Sequence, residues 1–272
     1  MPELPEVETI RRSLLPRLAG ARVEAVAASG QTLRQPVDLE RWRACAGARL
    51  TAITRRGKFL IFALNDAAAV LHLGMSGRLL VQPAAAAVAL HTHLSVRFES
   101  GQELRFVDPR RFGSAVLLPA AEVDGYPPLA RLGVDALDGN VAAALATLAG
   151  SRAPIRNALL DQRCIAGLGN IYANEALARA GISPTAPAGR LSRARRARLA
   201  EAIRQTLDDA LAAGGTTLAD GGFVNASGEV GYFAVALRVY GRAGEPCQRC
   251  GRPIQRIVLA GRAAYFCRSC QR

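Results

Sequence analysis

The sequence predicts an α+β multidomain protein: an N-terminal β-sandwich introduced by a helix, a helical middle domain and a C-terminal four-cysteine hairpin. Three observations carry this. Residues 21–118 break into many short β-like runs separated by Gly, Asp or Asn, as in a sandwich or barrel-like β domain. Beyond residue 133 the apolar spacing lengthens to that of helices. The chain ends in Cys247-x2-Cys250, sixteen residues, and Cys267-x2-Cys270.

Residues 5–18 read as one helix. Pro5 suits its first turn, Glu6 and Glu8 favour the positive end of its dipole, and Val7, Ile10, Leu14 and Leu18 form one apolar stripe. Strands are expected at 22–27, 50–54, 59–64, 69–73, 79–81, 94–98, 103–107 and 114–118, with 84–89 a variable surface loop. The Pro- and Gly-containing stretch 119–133 reads as an interdomain connection. Helices are expected at 140–149, at 154–161, at 171–180 (stopped by Gly181) and at 192–213, the last with Leu199, Ile203, Leu207 and Leu211 on one side. The glycine-rich stretch 214–232 has little apolar content and is expected to be a mobile loop. The chain thus divides into residues 1–130, 131–238 and 239–272.

Composition points to a polyanionic partner. In 272 residues, 35 Lys+Arg against 22 Asp+Glu give a net charge of +13, and nucleic acid is the commonest such partner. Arg greatly outnumbers Lys, which suits phosphate recognition by a forked donor. A high-GC genome would explain some of the Ala and Arg excess, though not the net charge. No apolar run reaches the roughly 18 residues of a membrane span. Glu3, Glu6 and Glu8 stand where a signal peptide needs positive charge, so a cytoplasmic protein is expected, with Cys45 and Cys164 as reduced thiols.

Two CxxC pairs each offer two sulfurs from one turn, and a hairpin between them completes a tetrahedral four-thiolate zinc site: Cys247, Cys250, Cys267 and Cys270. A redox dithiol is the weaker reading, because such a CxxC normally follows a strand in a βαβ unit. Arg249, Arg252, Arg256, Arg262, Arg268 and Arg272 stud the module against a single acid, Glu245, which suggests a grip on nucleic acid. His91-x-His93 could suggest another metal, but no third ligand accompanies it.

At the other end, a Met followed by Pro is normally trimmed, leaving Pro2 with a free secondary amine. Such an amine attacks aldehyde-level carbon and forms an iminium. The helix start immediately downstream lowers its pKa, and Glu3 is placed for proton transfer at the same carbon. Read alone, Pro2-Glu3 is equally compatible with an inert terminus. Met75 and Phe112 are likewise compatible with core packing, and Lys58 with one more basic residue at a strand end.

Five blocks together resemble the formamidopyrimidine-DNA glycosylase family. They are Pro2-Glu3-Leu4-Pro5-Glu6-Val7-Glu8-Thr9, His72-Leu73-Gly74-Met75-Ser76-Gly77-Arg78, Asp108-Pro109-Arg110-Arg111-Phe112-Gly113, Gly167-Leu168-Gly169-Asn170-Ile171-Tyr172-Ala173-Asn174-Glu175 and the cysteine module, in the family's order. The resemblance implies a middle domain of helix–two-turn–helix type and a bifunctional glycosylase and abasic-site lyase that removes oxidised purines. It implies Pro2 as nucleophile, Glu3 as acid and base, Lys58 assisting β-elimination and Arg262 associated with δ-elimination. It further implies Met75, Arg110 and Phe112 as the side chains that fill the hole left by an everted nucleotide, and His91, Arg152, Arg156 and Asn170 as DNA contacts. Asn170 also reads as an ordinary helix N-cap. One structural zinc, a monomer, double-stranded DNA with oxidised bases or abasic sites as partner, and no membrane complete the expectation. Two positions depart from the family: Arg156 stands where Lys is frequent, and Ala219 offers no side-chain donor to a flipped base. The rivals are the sister class of endonuclease VIII, acting on oxidised pyrimidines, and a DNA-binding protein without chemistry.

Overall fold

The computed structural model describes residues 2–217, 224–231 and 233–272. It opens with helix α1 (Leu4–Leu18), whose stripe Val7, Ile10, Leu14 and Leu18 is at most 1% exposed. Glu6 begins the helix by reaching back to the Glu3 backbone: its Oε2 accepts from Glu3 N–H at 2.8 Å. The strands follow as β1 (Val23–Ala28), β2 (Leu50–Arg56), β3 (Phe59–Leu64), β4 (Ala67–His72), β5 (Arg78–Pro83), β6 (Thr92–Phe98), β7 (Gln102–Val107) and β8 (Ser114–Pro119). A short helix α2 (Leu39–Arg43), absent from the sequence reading, lies between β1 and β2 and buries Trp42.

The strands form two antiparallel four-stranded sheets, ordered β1-β6-β7-β5 and β2-β3-β4-β8. Their inward residues share one core with the α1 stripe, among them Phe62, Leu71, Leu79, Phe98 and Phe106. This is the expected sandwich, with alternate residues of β3 pointing into it. The 84–89 stretch lies at the surface, as expected, with its backbone tethered from below. Arg105, 1% exposed, donates to Ala86 O and Ala87 O at 2.7 Å each and pairs with Glu103 at 2.5 Å.

Stretch 119–133 contains a second short helix, α3 (Pro127–Ala130). The helical region comprises α4 (Val141–Ala146), α5 (Ile155–Leu160), α6 (Asn170–Ala180) and α7 (Arg193–Ala212). A two-residue parallel pair joins β9 (Val134–Asp135) to β10 (Ile165–Ala166). The terminal hairpin is β11 (Gln255–Leu259) and β12 (Arg262–Phe266).

Compactness divides the chain differently from its linear order. One unit is Met1–Ala130 with Ala213–Tyr232, and the other is Arg131–Ala212 with Phe233–Arg272. The described residues of the glycine-rich stretch group with the sandwich by compactness, and polar anchors accompany this. Thr216 N–H donates to Glu6 Oε1 at 2.8 Å, Ala226 N–H donates to Ser13 Oγ at 3.2 Å, and Ala226 is 1% exposed in the sandwich core. Thr216 and Ala226 are thus tied to the sandwich at two points of the stretch. Ala219 and Met1 lie outside the described residues. Among the described residues, no helix is long and apolar enough to cross a membrane.

Candidate active site and metal centre

In the first unit the α1 start holds Pro2 and Glu3, both buried, with Glu3 N–H fixed by Glu6. Glu6 therefore has two backbone clients, Glu3 and Thr216, and the sequence reading assigned it only a dipole role.

Lys58 follows Gly57 in the two-residue connection between β2 and β3. Gly57 takes φ +58°, as the first position of a tight hairpin of this kind favours. Lys58 is 8% exposed, and it is the sole lysine among the chain's 35 Lys+Arg residues. That count is a sequence signal the reading by motif overlooked. A chain that uses Arg everywhere else keeps Lys where a side chain able to lose a proton is required. His72 lies close by. Its Nδ1 accepts from Gly74 N–H at 3.1 Å, its ring stands 4.7 Å from Phe59, and burial together with the Lys58 and Arg34 charges pulls its pKa down to about 4. The imidazole is thus neutral, its remaining proton on Nε2.

Met75, Arg110 and Phe112 sit on two interlocked turns. Met75 is 41% and Phe112 43% exposed, which is incompatible with core packing for either. The Arg110 guanidinium lies 4.8 Å over the Phe112 ring. Gly74 takes φ +61°, and a Cβ there would stand 2.4 Å from the Phe112 carbonyl carbon, so the turns touch through backbone. Asp108, fully buried, accepts from Ser76 Oγ at 2.5 Å and from Gly113 N–H at 2.8 Å, and its own N–H donates to His91 O at 3.0 Å. Exposed His91, at φ +65°, is thereby held to the same centre. His93 faces inward, bonded to Ser29 Oγ and Asp108 O, so His-x-His forms no ligand pair.

In the second unit Arg156 is turned inward. It is 0% exposed and reaches no solvent where a phosphate could sit. Its fork donates to Leu259 O and Ala263 O, each at 3.0 Å, to Asn170 Oδ1 at 2.6 Å and to Asn157 Oδ1 at 3.2 Å. The carbonyls flanking the hairpin turn draw the guanidinium inward. Burial, followed by the charge of Arg262, lowers its pKa. Asn170 is also not the N-cap: Gly169 caps α6, while the Asn170 side chain accepts from Arg156 and donates to Ala263 O at 3.0 Å. Asn170 remains partly accessible, and Arg152 is exposed before α5. Arg262 is exposed after the turn Ala260-Gly261, whose φ values of +45° and +74° fit a two-residue hairpin of type I′.

Glu175, 2% exposed and missed from sequence, accepts from the backbone N–H groups of Arg238, Val239 and Tyr240 at 2.8–3.0 Å, orienting the entry to the cysteine module. There the sulfurs of Cys247, Cys250, Cys267 and Cys270 all lie within 4.8 Å of one another. Mutual hydrogen bonding, first with Cys250, and burial push the Cys270 thiol upward, and a bound dication would hold these sulfurs as thiolates instead. Gln271 braces the knuckle, accepting from Cys267 N–H and donating to Ile182 O, both at 2.9 Å. The four cysteines fit one structural zinc ion.

Comparison with known proteins gives a consistent picture. Residues 1–115 match the model of the formamidopyrimidine-DNA glycosylase N-terminal domain, residues 132–221 that of the formamidopyrimidine-DNA glycosylase H2TH domain, and residues 244–272 a zinc finger found in FPG and IleRS. A formamidopyrimidine-DNA glycosylase of Stenotrophomonas maltophilia is 46% identical, with all of both chains covered. Among solved structures, a Lactococcus lactis FPG mutant in complex with Fapy-dG containing DNA aligns with a TM-score of 0.91 and 32% identity over 99% of each chain. The MutM (FPG) protein of Thermus thermophilus aligns with a TM-score of 0.87 and 40% identity, covering 99% of this chain and 98% of that one.

Proposed function

The chain belongs to the formamidopyrimidine-DNA glycosylase family, and from that premise we propose that it excises oxidised purines from double-stranded DNA through its Pro2 amine and then cuts the strand. Once Met1 is removed, the Pro2 nitrogen bonds to C1′ of the damaged nucleotide as the C1′–base bond breaks, the base leaving with a proton. Ring opening gives an iminium, which acidifies the 2′ protons. Loss of one expels the 3′ phosphate (β-elimination) and leaves a C2′=C3′ double bond conjugated with the iminium. This acidifies the 4′ proton, whose loss expels the 5′ phosphate (δ-elimination). Glu3 serves as acid and base for these transfers, Lys58 assists β-elimination, and Arg262 steadies a phosphate for the δ step. Met75, Arg110 and Phe112 fill the vacated stack, and His91, Arg152 and Asn170 hold the backbone. Arg156 acts from behind, through Asn170 and the hairpin. Zinc supplies only the rigidity of the terminal module.

One observation carries the nucleophile assignment: the Glu6 clamp on Glu3 N–H holds the Pro2 nitrogen at the positive end of α1. The positive end of the helix dipole there disfavours a charge on the amine, the form that cannot attack. The test is incubation with an 8-oxoguanine duplex and borohydride, followed by peptide mapping. With one lysine in the chain, peptide mapping separates an adduct on the N-terminal amine from one on Lys58 and shows whether Met1 has been removed. An adduct on Pro2 is expected. Faster trapping on thymine glycol moves the protein to the endonuclease VIII class, and no adduct even at an abasic site leaves a binding protein.

A further inference from the structure

Behind the Gly57-Lys58 turn lies an ion-pair cluster to which the reaction above assigns no part. Glu8, 5% exposed, projects from α1. It accepts from Arg11 Nη2 at 2.8 Å, Arg12 Nε at 2.8 Å and Arg55 Nε at 3.3 Å. Burial would raise the Glu8 carboxyl, yet hydrogen bonds from Arg11 and Arg12 and the charges of Arg11 and Arg55 outweigh it and hold it at about 2. The Arg12 side chain is 57% exposed and its pair is of the solvated kind that contributes little. Arg55 differs. Its side chain is 2% exposed, and its fork has a second client: Nη1 donates to Gly57 O at 2.9 Å.

We propose that Glu8 and Arg55 are positioning residues for Lys58: Glu8 fixes the Arg55 guanidinium to α1, and the same guanidinium fixes the peptide carbonyl of Gly57, the residue immediately before Lys58. The helix that begins just after Pro2 and Glu3 and the turn that carries the only lysine are thereby held in one frame. The chemistry requires an arginine at position 55. Its planar fork presents separate N–H groups to two acceptors, whereas an ammonium, a point donor, would keep the pair with Glu8 and release the carbonyl. The turn needs the anchor because it is two residues long and starts with glycine, whose backbone is the least constrained in the chain. Arg11 supports the same edge, donating to Ile53 O of β2 at 3.3 Å.

The inference rests on Lys58 acting in β-elimination, and the experiment separates the two. Single-turnover kinetics on a preformed abasic-site duplex give the rate of borohydride trapping on Pro2, the rate of β-elimination and the Kd. The proteins are wild type, Arg55→Lys, Glu8→Gln, Lys58→Gln and Lys58→Gln combined with Arg55→Lys. Arg55→Lys and Glu8→Gln are expected to slow elimination at least about 10-fold, as a reacting group displaced by a fraction of an ångström does. Trapping and Kd should change by less than about 2-fold, because Pro2 and the DNA contacts are untouched, and in the Lys58→Gln background Arg55→Lys should have no further effect. Arg55→Lys, which keeps the charge balance, decides the matter if Glu8→Gln does not fold. Normal elimination in Arg55→Lys beside a slow Lys58→Gln overturns the positioning role alone. An equal loss of trapping and elimination, or an Arg55→Lys effect that persists without Lys58, reduces the pair to a structural brace. Unimpaired elimination in Lys58→Gln removes both readings.

Discussion

Asp108 accepts a 2.5 Å hydrogen bond from Ser76 Oγ with one carboxylate oxygen while the other accepts from Gly113 N–H, so one buried side chain ties the Met75 turn to the turn of Arg110 and Phe112. The carboxylate also accepts from Arg110 N–H at 3.3 Å. An amide in its place would present an N–H₂ group to one of these donors. Asp108→Asn is therefore expected to destabilise the first unit by about 2 kcal/mol, the usual cost of a mismatched buried bond. It should also reduce the preference for lesion-bearing over undamaged duplex. Thermal unfolding and paired Kd measurements check both, and unchanged discrimination would mean that the two turns do not act as one element.

Arg156 supports the second unit in a comparable way, and its removal leaves more behind. Ala263 O keeps a donor in Asn170, but Leu259 O loses the bond Arg156 supplied. Arg156→Met should cost about 3 kcal/mol through those stranded groups. DNA affinity should fall with it, although the wild-type side chain is inaccessible to DNA. The salt dependence of binding distinguishes this from loss of a phosphate contact. Its slope should stay unchanged, because no counterion-releasing charge has been removed from the surface. A slope lowered by about one contact would restore the phosphate role.

These two side chains mark where the sequence stopped being readable. The α1 stripe and the CxxC pairs were legible because their signal is local: a spacing of three or four residues, or of two. Trp42 and α2 were not, since a five-residue helix with one buried side chain has no period. The inward turn of Arg156 was not legible because composition gives a residue's charge but not its direction. The anchoring of Thr216 by Glu6 spans 210 positions, and nothing near either residue announces the other.

Acid should destabilise the first unit in two steps. His72 has its pKa lowered from 6.5 to about 4, so the unfolded chain takes up a proton before the folded one. Its contribution is complete above about pH 6.5 and is lost as pH falls towards 4, with an upper bound of about 3 kcal/mol. Glu8, lowered from 4.5 to about 2, contributes above pH 4.5 and loses that contribution between 4.5 and 2. In Tm–pH profiles, His72→Asn should flatten the limb between 6.5 and 4 and leave the lower limb intact. A wild-type profile flat through that range would contradict a neutral His72.

Zinc removal should separate the units experimentally. The metal module's own core comprises Val239, Cys247, Ile254 and Cys267, too little apolar surface to hold a hairpin without its ion. Trp42, the only tryptophan, reports on the sandwich core instead. Chelation, or Cys250→Ser, is expected to weaken DNA binding at least about 100-fold, as loss of a folded grip of several phosphate contacts implies. Trp42 fluorescence should stay native. Tight binding by zinc-free protein would show that the module is not part of the grip.

Lys58→Arg is the sharpest test of what the only lysine is for. The substitution keeps a positive charge at the end of the β2–β3 hairpin, so any role in attracting phosphate should survive and the Kd for an abasic-site duplex should change little. A guanidinium cannot give up its proton near neutral pH. If Lys58 exchanges protons during β-elimination, that step should slow by about 100-fold or more, within the range attributed to general acid–base catalysis, while trapping on Pro2 continues. If elimination runs at the wild-type rate, Lys58 acts by charge alone, and the retention of a single lysine in so arginine-rich a chain would have no chemical reason.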